Sequence, residues 1–267
     1  KLFYTTEGIA GTPLNVCASF IVLFIIFASF LEQSGIGAFF VDLANSIAGK
    51  ETGGPAKVAV ISSAMEGMYS GSSVANTVGS GAVTIPLMKK TGYKPEFAAA
   101  AEAAASTGGQ IMPPIMGAAA FLMADYVQLP YGEIVVKAIL PAVLYFAGIF
   151  ISVHLEAKKL GLRGLTKEEL PKLKPLLKKV YLLAPLVLLI YLVGTSQRSI
   201  QYAAAIAIVV AIAVSMFDKN TRITPMRLLE ALAAGGQGTI TVAAACGIAG
   251  IIAGTITMTG LANMMIN

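Results

Sequence analysis

Ser70-Gly71-Ser72-Ser73-Val74-Ala75-Asn76-Thr77 interrupts an otherwise apolar stretch running from Val58 to Met88. Lys50 and Lys57 stand before or at the start of this stretch, and Lys89, Lys90 and Lys94 follow it. Basic residues collect on the cytoplasmic side of a membrane. With both groups on that side, Val58 to Met88 enters and returns from one face, turning at Ser70-Gly71-Ser72-Ser73. Each arm is then about 12 to 15 residues, whereas a crossing takes about 20. The pattern predicts a re-entrant helical hairpin. Its polar tip is tolerable at membrane depth only if it is buried in protein or lines a cavity.

Composition agrees with a bilayer as solvent. Of 267 residues, 56% are hydrophobic and 12% charged, against about 25% charged in soluble domains. That balance excludes a disordered chain and leaves a soluble enzyme without its charged shell. The net charge of +5 does not imply nucleic acid. Eight of the 19 Lys and Arg lie between Lys158 and Lys179, as in a cytoplasmic loop. Cys17 and Cys246 both sit in apolar runs and read as packed thiols.

The other apolar stretches set the topology. Pro13 to Leu31, Ile134 to Leu155, Val180 to Thr195 and Ile200 to Phe217 are expected to span, the second broken at Pro141 and the third carrying Pro185. A final apolar region runs from Thr239 to Ile266. Gly35 to Ala48 is shorter and reads as an interfacial or tilted helix. The basic loop, Glu156 to Lys179, lies inside; Arg198 marks the far turn of the next hairpin; Lys219, Arg222 and Arg227 mark the inside again. Asp125 to Glu133 carries no Lys or Arg and fits the outside. Pro95 to Val127 then crosses outward, but Thr107-Gly108-Gly109-Gln110 and Pro113-Pro114 interrupt it, predicting two half-helices joined by unwound backbone.

Both interruptions fall at mid-depth. Broken helices present carbonyls at one half-helix end, which suit a hard cation such as Na⁺, and N–H groups at the other, which suit a carboxylate. Ser70, Ser72, Ser73, Asn76, Thr77, Ser106, Thr107 and Gln110 add neutral oxygens and amides. The competing reading is close helix packing through small residues, and Ala98 to Ala105 is read only that way. Glu66 and Glu102 are candidate coupling carboxylates, since ionisable groups inside a membrane are costly. Against that, Glu66 could face a watery vestibule and Glu102 could cap backbone. His154, the lone histidine, sits beside Glu156 and Lys158 and reads as a surface or snorkelling residue. No phosphate-binding loop, H-E-x-x-H or G-x-S-x-G pattern occurs, so no enzyme is expected. The runner-up to a transporter is a channel or a non-transporting membrane scaffold.

Gly53-Gly54-Pro55-Ala56-Lys57-Val58, the tip from Ser70 to Thr77, Thr84-Ile85-Pro86-Leu87-Met88-Lys89-Lys90-Thr91-Gly92-Tyr93, and Glu102 to Pro114 together resemble the large membrane subunit of tripartite ATP-independent periplasmic (TRAP) transporters. The nearest type is the fused permease that works with TAXI-class binding proteins. The resemblance is strong from Gly53 to Lys159 and weaker beyond Lys172. It implies an all-α membrane protein of two inverted repeats, each with a hairpin and a broken helix, moving as an elevator. It also implies an ion-gradient-driven importer of organic acids in a bacterial or archaeal inner membrane. Its partners would be a periplasmic TAXI-type binding protein and a small membrane subunit, its coupling ion Na⁺ or H⁺, and it would need no cofactor. On this resemblance ion or substrate roles pass to Ser70, Gly71, Ser72, Ser73, Asn76, Thr107, Gly108, Gly109, Gln110 and Pro114, with Thr77, Ser106 and Pro113 beside them. Na⁺ is expected at Ser72, Asn76 and Gly109. Residues 1–155 then form the first repeat, with hairpin 54–92 and broken helix 95–127; 156–179 is the basic loop; 180–267 begins a second repeat that is truncated. Glu66 departs from the family pattern, where an apolar residue is expected.

Overall fold

The computed structural model describes residues 2–3, 5–166, 168–171, 173–195, 199–218, 221–261 and 264, apart from the side chains of 173 and 174. The expectations for Lys167 and Lys172 in the basic loop, Arg198, Lys219 and the end of the last apolar region at Ile266 lie outside the described residues.

Every regular element among the described residues is helical. In chain order these are α1 (Thr12–Gln33), α2 (Ile36–Ala48), α3 (Gly54–Ser70), α4 (Ser73–Gly79), α5 (Gly81–Lys90), α6 (Pro95–Gly108), α7 (Ala118–Val127), α8 (Tyr131–Lys159), α9 (Pro175–Gly194), α10 (Ile200–Ser215) and α11 (Pro225–Thr259). Among the described residues, α1, α8, α9 and α11 are long and apolar enough to cross a bilayer. The outer face of α8 leaves Val136, Leu140, Val143 and Leu144 exposed, an apolar surface that lipid can solvate and water cannot. The chain is an all-α, multi-pass membrane protein.

Two apolar clusters hold it together. In one, Phe24, Phe27 and Phe30 of α1 pack with Ala203, Ala207 and Ala211 of α10 and Ala231 of α11. In the other, Ala56 and Val60 of α3 meet Ala98, Ala101 and Ala105 of α6 and Phe146 and Val153 of α8. The alanine run of α6 is therefore a packing face. Helix starts follow local chemistry: Thr224 Oγ1 accepts from Arg227 N at 3.4 Å before Pro225, and Ser199 Oγ accepts from Tyr202 N at 3.3 Å, each filling an orphan first-turn donor.

The hairpin forms, with α3 as one arm and α4 followed by α5 as the other. At 17 residues, α3 rises about 25 Å, short of the ~30 Å hydrocarbon core. Both feet and the basic loop meet at one end. Leu165 N donates to Gly49 O at 2.8 Å, Tyr93 Oη to Gly53 O at 3.4 Å, and Lys90 Nζ pairs with Glu169 at 3.2 Å. Glu169 is exposed, and its carboxyl is held below its usual 4.5 by the Thr166 backbone N–H first and by Lys90 next.

Several expectations are corrected. Pro141 lies inside the unbroken α8. It sits among Ala138, Ile139, Leu140 and Ala142, which keep the helix on either side, and one lost hydrogen bond is not enough to unwind it. The last helix begins at Pro225, ahead of the apolar region that starts at Thr239. Lys57 is not a loop cation. It is buried in the first turns of α3, paired with Glu51 at 3.3 Å and lying over the Phe150 ring at 5.1 Å. α10 has 16 residues and falls short of the four longest spans. His154 is half-buried, as a snorkelling side chain would be, with its Nδ1 enclosed and lacking a partner.

Candidate functional site

The hairpin arm and the broken helix cross where both lack side chains. A Cβ on Gly67 would stand 2.4 Å from the Gly109 Cα, and one on Gly109 would stand 2.5 Å from the Asn76 Nδ2. α6 ends at Gly108, passes through a short 3₁₀ turn, Gly109–Ile111, and loses regular structure until α7. This break lies against the tip. Gly71, at φ +57°, has its Cα so close to the Met116 carbonyl that a Cβ would lie 2.1 Å from that oxygen. Only glycine fits that backbone and that space together. Gln110 Nε2 donates to Ser73 Oγ at 3.0 Å, and Gly117 N closes the break onto Gln110 O at 2.7 Å.

The depth of this crossing is set by α8. At the hairpin's foot, a Cβ on Gly53 would touch Ala157 at 2.4 Å. At the break, a Cβ on Gly108 would lie 2.5 and 2.7 Å from the Tyr145 and Phe146 rings, and Tyr145 Oη donates to Ala104 O at 2.8 Å. Tyr145 is the midpoint of the 29-residue α8. The tip and the break therefore meet half-way along a spanning helix.

The side chains sort into three groups. Ser70, Gly71, Ser72 and Asn76 line a cavity of about 890 Å³. Within it Ser70 Oγ donates to Asn76 Oδ1, Asn76 Nδ2 reaches Ser63 O at 3.5 Å, and Ser72 Oγ caps Ala75 N at 3.3 Å. A second group surrounds Glu102, which is fully buried. Its Oε1 accepts from Ser80 at 2.7 Å, Ser63 at 3.1 Å and Ser106 at 3.2 Å, while its Oε2 accepts from Thr84. Ser106 thus serves the carboxylate, away from the cavity. The third group is scaffold. Thr77 and Thr107 bond back to the carbonyls of Ser73 and Ala103, both at 2.8 Å. Pro113 and Pro114 lie in the unwound segment, where Tyr131 Oη donates to Pro114 O at 3.1 Å and to Ile115 O. Gly109 and Gln110 touch the tip from behind without lining the cavity.

Sequence reading passed over four residues here. Glu32, Asp42 and Tyr69 line the cavity beside Glu66, and Ser80 stands between Glu66 and Glu102. Glu32 and Asp42 are carboxylates close to apolar stretches, so the rule that singled out Glu66 could have found them. Ser80 carried no signal, because its role depends on a contact 22 residues away in the chain. No Lys, Arg or His is among the cavity's lining residues. The described residues also hold no group of three or more His, Cys, Asp or Glu placed to bind a metal.

Comparison with known proteins bears on what such a site serves. A family profile described as the DctM component of tripartite ATP-independent periplasmic transporters matches residues 4–267. The C4-dicarboxylate TRAP transporter large permease protein DctM of Pseudomonas aeruginosa is 25% identical over 234 residues, covering 86% of this chain and 53% of that protein. Its namesake in Vibrio cholerae is 28% identical over 156 residues, 57% of this chain and 34% of that one. A TRAP transporter large permease protein of Haemophilus influenzae is 27% identical over 169 residues, 62% and 39%. The chain spans between about a third and a half of the length of these relatives.

Proposed function

Because this chain belongs to the DctM-component family of tripartite ATP-independent periplasmic transporters, we propose that it carries half of the transport site of an ion-gradient-driven permease for small organic acids. The observation that supports this is the meeting of hairpin tip and broken helix at the midpoint of α8. Two helices, α3 and α6, end there with their carbonyls toward the same spot, and the negative ends of two helix dipoles favour a cation. Ser72, Asn76 and Gly109 would offer Na⁺ neutral oxygens, from side chains and backbone. The N-terminal end of α7 opens beside Gly71 and would favour a substrate carboxylate.

The names of the relatives make C4-dicarboxylates the first substrates to try. The motif resemblance points to a TAXI-type periplasmic binding protein and a small membrane subunit, fused or separate, in a bacterial or archaeal inner membrane. The coupling ion would be Na⁺ or H⁺, no cofactor is called for, and the elevator motion between two inverted repeats belongs to the same proposal.

The test uses the full-length permease with its small subunit and binding protein in proteoliposomes. Succinate uptake should require an inward ion gradient and should fall to background in Asn76→Ala and Gly109→Ala. Wild-type uptake in both variants would overturn the site. Flux that ignores the gradient would turn the reading to a channel.

A further inference from the structure

Two buried carboxylates stand inside the hairpin region with no cation beside them. Neither Glu66 nor Glu102 belongs to any ion pair among the described residues. Their surroundings differ. Glu102 is met by four hydroxyls. Glu66 sits in a slot that two glycines leave open. A Cβ on Gly37 would lie 3.7 Å from its Oε1, and one on Gly79 would lie 3.5 Å from its Oε2. Glu66 is 4% exposed, and that remnant opens on the cavity. Ser80 bonds to Glu102, and its chain neighbour Gly79 is the glycine that lies against the Glu66 Oε2, which puts Ser80 between the two acids.

We propose that Glu66 and Glu102 form one proton-binding site, in which a single proton shared by the two carboxylates enters from the cavity at Glu66 and crosses to Glu102 through the Ser80 hydroxyl. A buried carboxylate stays ionised only where donors replace water. Glu102 has four such donors and Glu66 has fewer, so with Glu102 ionised the proton rests on Glu66. In the transfer, Ser80 Oγ takes the Glu66 proton while its own hydroxyl hydrogen passes to Glu102 Oε1. One O–H bond forms and one breaks on Ser80, and one proton moves.

The hydroxyls can follow this change without moving their heavy atoms. Ser80 Oγ lies 2.8 Å from Asn76 O, and Thr84 Oγ1 lies 3.0 Å from Ser80 O. When Glu102 is ionised both hydroxyls can turn to it; when it is protonated both can return to these carbonyls. Asn76 O belongs to α4, directly behind the tip, so the proton's position changes the hydrogen bonding of the helix that carries Asn76. Other titratable groups face Glu66 from the walls of the cavity: Glu32 on α1, Asp42 on α2 and Tyr69 on its own helix. The lining residues of α4, α7 and α11 include none.

As a coupling step this rests on the transporter reading, but the proton can be detected without transport. Infrared titration of the full-length permease in nanodiscs reads the carbonyl stretch of a protonated carboxyl. One such band is expected at neutral pH, absent from the isosteric Glu66→Gln and displaced to lower pH in Glu102→Gln, where the opposing charge is gone. Glu66 exchanges directly with the cavity, so Ser80→Ala should slow exchange in D₂O only of the band that Glu102 gives once a second proton is added on acidification, and Ser80→Thr should restore it. A wild-type protein with no neutral-pH band, or a band that survives Glu66→Gln, overturns the site. Unchanged exchange in Ser80→Ala overturns the relay. An intact band with no ion-driven uptake would count against the transport proposal and leave the proton site standing.

Discussion

Glycine performs the same task in two parts of this molecule, and its neighbours give that task a different meaning in each. In the bundle of α1, α10 and α11, a Cβ on Gly235 would sit 3.1 Å from the Ile26 Cα, and the one polar side chain beside it, Ser29, is bonded back to the Ile25 carbonyl of its own helix. In the hairpin region the Gly67–Gly109 crossing is tighter still. There the buried neighbours include Ser63, Glu66, Asn76, Ser80, Thr84, Glu102 and Ser106. Close approach through small residues is therefore no sign of a site. Burying polar groups is, because each must find a partner or cost stability. A structure concentrates such groups in one place only where something other than packing requires them.

The sharpest break of this contrast is at the carboxylate. Glu102→Leu in the full permease removes the acceptor of four hydroxyls and should cost about 3 kcal/mol, read as a fall in Tm in detergent. A matched change in the bundle, Ala207→Ser, has helix carbonyls to satisfy its hydroxyl and should cost under about 1.5 kcal/mol. Equal losses would erase the distinction between the regions. Next comes Gly67→Ala. Its methyl would meet backbone at 2.4 Å, so about 2 kcal/mol of overpacking is expected, together with lost uptake. Gly236→Ala on α11, with nothing within 4 Å, should be neutral or stabilising by up to about 1 kcal/mol.

The smallest effect concerns the hairpin's foot. The folded form holds the Glu169 carboxyl below 4.5, so its contribution is present above the unfolded value and is lost as pH falls through the folded one. The Tm difference between wild type and Glu169→Gln should be small at neutral pH and vanish below about pH 4. A difference that grows on acidification would place the partner of Glu169 elsewhere.

Much of this architecture is legible in the sequence. The hairpin follows from lysines at both ends of a stretch too short to span twice. The break follows from Gly108-Gly109 and Pro113-Pro114 lying within one helical run. The same logic fails at Pro141, where a single proline among helix-favouring neighbours does not end a helix. Apolarity likewise misses the start of α11 at Pro225, because the turns ahead of Thr239 carry Arg227, Glu230 and three glycines and are helical all the same.

Periodicity, charge placement and helix-breaking residues are local properties. They determined that the chain enters a bilayer, where it turns and where it unwinds. Which of the many serines and threonines matter was left to tertiary structure. Ser106 lies one turn along α6 from Glu102, whereas Ser63, Ser80 and Thr84 reach that carboxylate only when the arms fold onto α6. Thr77 and Thr107, alike in sequence, turn back to their own helices. A hydroxyl's role depends on which acceptor lies within about 3 Å, and that distance exists only once the chain is packed.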